Sequence, residues 1–202
     1  MSLASKLISG RKFNLELINF SQLLKNSLQS ASMVLPSYCS IDFDISENCF
    51  IKGSESVLSI GIFNLILNSI DYKKEDSVKI SVSLRKEKGR IIFVYKDNSI
   101  GIKPELQQEV FKPYFTKNPY NDGEFNETMG LGLFILKCAV EQAGGNILLS
   151  TEFSEGVKYI ISLPQTEETD GVFKSRSQNF ILNKYSDMFV QLCKYCNLPD
   201  LY

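Results

Sequence analysis

An apolar run, Ile91-Ile92-Phe93-Val94-Tyr95, gives way within two residues to a carboxylate and a glycine-containing turn, Asp97-Asn98-Ser99-Ile100-Gly101-Ile102. A segment with helical spacing, Asn64-Leu65-Ile66-Leu67-Asn68-Ser69-Ile70-Asp71-Tyr72, precedes it, and a glycine pair, Met129-Gly130-Leu131-Gly132-Leu133, follows. Each segment alone is weak, because asparagine pairs and Asp-to-Gly turns arise by chance. Their order and spacing together constrain the chain to a fold in which a helix face, a strand end and a helix start converge. With 202 residues, 44% of them hydrophobic, the chain can bury one sizeable core, so all three segments belong to a single body with appendages.

Composition removes several chemistries. There is no histidine, so imidazole bases and Ser-His or Cys-His nucleophile pairs cannot form within the chain. The 22 basic and 23 acidic residues nearly cancel, which argues against a polyanion-binding surface and against nucleic acid as a partner. The apolar runs are short and broken by charges, so neither a spanning helix nor a secretory leader is expected, and the chain is expected to make no membrane contact. The five cysteines (Cys39, Cys49, Cys138, Cys193, Cys196) are most simply reduced thiols of a cytoplasmic protein. Cys193 and Cys196 have zinc spacing, but no second pair or histidine completes a site.

Periodicity places a first helix over residues 20–33, with Ser21 as N-cap and Pro36 ending it, then a strand over 41–45 with 49–52 as its short partner. A second helix spans 55–72, where Val57, Leu58, Gly61, Ile62, Leu65, Ile66 and Ser69 form an apolar or small stripe. Residues 78–84 alternate and 91–95 are continuously apolar, with Lys88-Gly89 as the turn, so the pair reads as a hairpin leading into a central strand. A third helix over 131–142, closed by Gly144-Gly145, and strands over 147–150 and 157–163 complete an α/β, two-layer α+β sandwich with an open mixed sheet. The polar, aperiodic stretch 113–129 lies between two of the converging segments, as a lid would. After Pro164 a polar linker leads to a terminal helix with Ile181, Tyr185, Met188, Phe189, Leu192 and Cys196 on one face; packing on the same domain and docking on a partner both remain open.

On the second helix Asn64, Asn68 and Tyr72 are four apart with Asp71 adjacent, so they leave one face opposite the apolar stripe. An amide oxygen there suits magnesium, which keeps most of its waters and takes one or two protein oxygens beside phosphate oxygens; Asn68 is the candidate metal ligand. Asp97, at a strand end, could accept the exocyclic amine of adenine, which guanine does not offer, while Gly101 lets backbone pass close beneath a base. Gly130 and Gly132 open the third helix, whose exposed amides can receive phosphate oxygens although no GxxxxGK[ST] loop occurs. The three segments therefore read as an ATP pocket.

On these residues the chain resembles the catalytic and ATP-binding domain of sensor histidine kinases, within the wider group of gyrase, heat-shock chaperone and mismatch-repair ATPases with the Bergerat-type fold. Residues 64–72 are similar to that family's N box, 97–102 to its first glycine box, Phe111-Lys112-Pro113-Tyr114-Phe115-Thr116-Lys117 to its F box, and 130–133 to its second glycine box. The resemblance implies ATP and Mg2+ as cofactors, contacted by Asn64, Asn68, Asp71, Tyr72, Asp97, Ser99, Gly101, Ile102, Phe111, Phe115, Thr116, Lys117, Gly130, Leu131, Gly132 and Leu133. Asn64, Asn68 and Lys117, with Lys112 an alternative to Lys117, would serve phosphoryl transfer. It also implies that residues 1–12 are the linker from a histidine-bearing dimerisation domain, that 13–164 form the kinase domain and 165–202 an extension, and that a response regulator acts downstream. Hydrolysing members carry a glutamate where this chain has Asn64, so transfer to a supplied histidine is expected over hydrolysis, and the chain alone should be incompetent. A non-catalytic nucleotide-binding regulatory module and an anti-sigma serine kinase are the alternatives. The chain departs from the family pattern at Ser99 and Thr128, where glycine is usual, and at Val157, where threonine is common. Ser99 is expected to strain its turn, Thr128 to stiffen the lid, and Val157 to remove a hydroxyl from the adenine end.

Overall fold

A computed structural model describes residues 12–115, 130–150 and 155–167. The expected linker start, Thr116, Lys117, Thr128, Met129, the terminal helix and the Cys193/Cys196 pair lie outside the described residues. Elements follow as β1 (Glu16–Asn19), α1 (Phe20–Val34), β2 (Cys39–Ile45), β3 (Phe50–Gly53), α2 (Glu55–Asp71), β4 (Val78–Glu87), β5 (Arg90–Asp97), a 3-10 turn (Pro104–Leu106), α3 (Gly132–Gln142), β6 (Asn146–Leu149) and β7 (Lys158–Pro164).

The main sheet has the order β2-β4-β5-β7-β6. Only β2 and β4 run parallel, and the remaining pairs are antiparallel, so the sheet is mixed, as expected. One face carries the core. Val78, Ile80, Val82 and Leu84 of β4, Ile91, Phe93 and Tyr95 of β5, and Tyr159, Ile161 and Leu163 of β7 all point towards the helices. Against them pack Leu24, Leu28 and Ala31 of α1, Leu58, Ile62, Leu65 and Ile66 of α2, and Leu136, Ala139 and Val140 of α3. Although 91–95 is continuously apolar, Ile92 and Val94 turn to the opposite face and are only half-buried. No helix among the described residues is long and apolar enough to cross a membrane.

Local expectations fared unevenly. The N-cap of α1 is Asn19, whose side chain accepts from Gln22 N–H at 3.1 Å, rather than Ser21. Ser21 is buried and instead clamps a loop, donating to the Ser46 carbonyl at 2.6 Å and accepting from Cys49 N–H at 3.0 Å. The segment expected to pair with β2 is β3, and its partner is β1, residue for residue from Glu16 with Gly53 to Asn19 with Phe50. A parallel β2–β4 pair needs an intervening crossover, and α2 supplies it. The glycine stop after α3 is as read: Gly145 N–H reaches the Val140 carbonyl at 2.9 Å and Gly144 N–H the Glu141 carbonyl at 3.0 Å, the hydrogen-bond pair of a Schellman termination.

Helices α2 and α3 meet at Gly61. An added Cβ there would stand 2.7 Å from Leu136 Cδ1 and 3.2 Å from Leu136 Cα, so the missing side chain sets the helix separation. Gly61→Ala is therefore expected to push the helices apart and destabilise the domain by about 1–3 kcal/mol despite alanine's better helix propensity; denaturant midpoints of the two proteins measure it.

Candidate nucleotide-binding site

Alternation along β5 puts Asp97 in the same inward row as Phe93 and Tyr95, leaving it 6% exposed. A buried carboxylate needs hydrogen-bond donors, and three reach it. Oδ1 accepts from Ser99 N–H and Val157 N–H, both at 3.0 Å, and Oδ2 accepts from the Ser69 hydroxyl at 2.5 Å. A carboxylate offers about four lone-pair sites, so Oδ2 retains one, enough for a single N–H donor. Asp97 N–H in turn donates to the Val157 carbonyl at 3.0 Å.

The turn is held by backbone packed on backbone. Gly156 has φ 124°, and a Cβ there would collide with the Asp97 carbonyl oxygen; Gly101 has φ 77°, and its Cβ would lie 3.1 Å from the Gly156 carbonyl oxygen. Ser99, by contrast, is not among the described non-glycine residues with positive φ, which are Asn48, Lys88 and Tyr114. The expected strain is absent because Ser99 keeps ordinary backbone and directs its N–H to Asp97. Val157 engages Asp97 through its backbone N–H and carbonyl. Asn98 holds the start of β4, accepting from Lys79 N–H at 2.7 Å and donating to the Ser77 carbonyl at 2.9 Å.

The predicted face of α2 carries Asn64, Asn68 and Tyr72 half-buried and Asp71 exposed. Asn64 Nδ2 donates to the Ile60 carbonyl at 2.9 Å, and its side chain lies against Gly132, where an added Cβ would stand 2.7 Å from Asn64 Cγ and 2.9 Å from Oδ1. The Asn68 amide makes no hydrogen bond among the described residues. Tyr72 caps α2, and its carbonyl accepts from Ile100 N–H at 3.0 Å; burial, then the Asp71 charge, pushes its phenol up. Asp97 and Asn68 are thus joined through Ser69, the residue following Asn68, and Gly132 meets the same helix about one and a half turns earlier.

At α3 the N-cap is Leu131, with no side-chain cap hydrogen bond, after Gly130 at φ 59°. First-turn amides of such a start have no intrahelical partner and favour anions. Leu131 is buried, while Leu133 and Ile102 are half-buried against the core. Phe111 stands edge-on to Tyr159, ring centroids 6.2 Å apart, with Lys137 Nζ 5.9 Å from its own centroid. Phe115 is half-buried. Lys112 pairs with Glu109 at 2.7 Å; Lys117 and Thr116 lie beyond the described residues. Two residues that position Asp97 were not singled out in the sequence for that role. Ser69 belongs to the apolar stripe of α2, where a hydroxyl facing the core is the available signal. Gly156 offered only a glycine ahead of an alternating strand.

Comparison with known proteins agrees with this fold. The profile of the family described as "Histidine kinase-, DNA gyrase B-, and HSP90-like ATPase" matches residues 53–167. The sensor protein RprX of Bacteroides fragilis is 33% identical over 118 residues, 58% of this chain and 22% of RprX. The chain spans about a fifth of the length of the curated relatives it matches. Among solved structures, the mycobacterial sensor histidine kinase MprB superposes with a TM-score of 0.62 at 21% identity, over 76% of this chain and 99% of that one. Full-length ShkA in complex with AMPPNP gives 0.65 at 17% identity, over 82% of this chain and 34% of ShkA. At these identities the structural likeness speaks to fold.

Tyr95 and Tyr159 are both driven well above the ordinary phenol range, first by burial and then by the Asp97 charge. The folded chain keeps both protons at a pH where the unfolded chain releases them, near 10. Their contribution is therefore complete below that pH and is lost as pH rises beyond it, by roughly 1.4 kcal/mol per pH unit for each phenol. Denaturant titrations between pH 9 and 11 should show this decline, and Tyr95→Phe should make it shallower.

Proposed function

Because the chain belongs to the histidine kinase-, DNA gyrase B-, and HSP90-like ATPase family, we propose that it is the ATP-binding catalytic domain of a sensor histidine kinase, passing the γ-phosphate to a histidine on a separate dimerisation domain. The observation that carries this reading is Asp97: buried, held by three donors, with one acceptor site left for an exocyclic amine, and one residue contact away from Asn68. The adenine end would rest on Asp97, Gly101, Ile102 and Tyr72, and the phosphates on the amides around Gly130 to Leu133. Lys117, expected in the lid over 113–129 and outside the described residues, would add a positive charge at the phosphates.

The side chains fit a divalent cation modestly. The Asn68 amide has no competing hydrogen bond among the described residues, and Asn64 commits its amide nitrogen to Ile60, leaving its oxygen. Magnesium takes one or two protein oxygens in phosphate sites, so Asn68 would hold it, with Asn64 beside it. Bound there, the ion would neutralise charge on the phosphates. Phosphoryl transfer depends chiefly on such positioning and charge neutralisation. Asn64 cannot act as a general base, and its nitrogen is tied to the helix, so activation of water has no evident agent and hydrolysis should be slow. The acceptor must come from outside, since the chain holds no histidine; a cytoplasmic setting and a downstream response regulator complete the reading.

Calorimetry should show magnesium-dependent ATP binding with a dissociation constant on the order of micromolar, and no phosphorylation of the chain alone. Asp97→Asn should weaken binding at least roughly tenfold while the protein stays folded. ATP binding unaffected by that change would reject the adenine assignment. Adding a histidine-bearing dimerisation domain in trans with labelled ATP should yield phosphohistidine; binding without transfer would favour a regulatory module.

A further inference from the structure

We propose that Ser69 and Tyr95 form a positioning pair that orients the Asp97 carboxylate and thereby sets selectivity for a nucleobase bearing an exocyclic amine. The inference deepens the nucleotide-binding proposal and rests on it. Ser69 Oγ lies 2.5 Å from Asp97 Oδ2, 2.7 Å from the Tyr95 hydroxyl and 3.1 Å from the Leu65 carbonyl. It carries one proton for three neighbours. A carboxylate only accepts, and a hydrogen bond to it is the strongest of the three, so the serine proton points at Oδ2. The phenol then has to donate to Ser69 Oγ. Burial and the nearby Asp97 charge hold that phenol protonated, which keeps it a donor.

The result is a directed chain, Tyr95 to Ser69 to Asp97, running from the sheet through α2 and back to the end of the same strand. Ser69 is 1% exposed and Tyr95 fully buried, so bulk water does not substitute for either group. Each donor in such a chain strengthens the next. Two backbone amides fix Oδ1, and the serine fixes Oδ2, so rotation of the carboxylate is blocked and its remaining lone pair has one direction. Without the phenol, the serine still directs its proton to Oδ2 but donates less strongly, and Oδ2, which has no other donor among the described residues, is held less firmly. Neither residue is placed to touch the nucleotide; both act through Asp97.

The test uses the full chain and two ligands: ATP, and purine riboside 5′-triphosphate, which carries hydrogen in place of the exocyclic amine. Wild type should prefer ATP by roughly tenfold or more, the discrimination a built hydrogen-bonding site can reach. Tyr95→Phe, which retains the buried ring, should narrow that preference about three- to tenfold by weakening ATP alone, and Ser69→Ala should narrow it further. A preference unchanged in Tyr95→Phe, or equal weakening of both ligands, would overturn the pair. If wild type itself shows no preference for ATP, the adenine contact proposed for Asp97 fails, and the pair fails with it.

Discussion

A carboxylate has to be kept inside this fold, and much of the surrounding architecture follows from the donors it requires. Asp97 closes β5, the middle strand of the sheet, where it is 6% exposed and little water can reach it. Its donors come from three separate parts of the chain: the turn after β5, the entry to β7, and α2. Satisfying one charge therefore ties the sheet to the helix layer and to its own following turn. The approach of Gly156 onto the Asp97 carbonyl brings the Val157 amide within reach, and no side chain could occupy that position. A group with this many anchors is preorganised, so little is lost in orienting it when a ligand arrives.

Helix α2 connects the two ends of the candidate site. Its inner stripe fills the core, Gly61 lets α3 approach, and Ser69 reaches Asp97. Its other face presents Asn68 and Asn64, and Asn64 lies against Gly132 where α3 begins. The helix start that would receive phosphates and the carboxylate that would receive a base are thus both referenced to one rigid rod. Gly61 and Gly132 fix the spacing between α2 and α3 through the absence of side chains.

Elements with strong periodicity were legible in the sequence, and elements whose meaning depends on a distant partner were not. The β4–β5 hairpin, α2 and the glycine stop after α3 follow from alternation, helical spacing and turn chemistry acting within about a dozen residues. Strand β1 has four residues and too little pattern to register, so the sequence points to β2 as the partner of β3, whereas β3 pairs with β1. Ser21 has the chemistry of an N-cap, but tertiary contacts with Ser46 and Cys49 claim its hydroxyl. At the site, Asp97, Asn68 and the glycines stood out by residue type at a fixed spacing. Ser69 and Gly156 act through contacts with residues 28 and roughly sixty positions away, which no local pattern encodes. Ser99 shows the converse: departure from a familiar motif need not mean a distorted backbone.

Strand β3 fastens both the way in and the way out of the described body. Asn19, at the end of β1, is paired with Phe50, and Thr166 N–H donates to the Phe50 carbonyl at 2.8 Å. β1 and the stretch after β7 are consequently both fastened to β3, Glu16 opposite Gly53 at one end and Thr166 at Phe50 at the other, far apart in sequence yet held by one four-residue strand. With both flanks of the described body fastened to the same short strand, pull from either side is taken up first by β3 instead of being drawn through the middle of the main sheet.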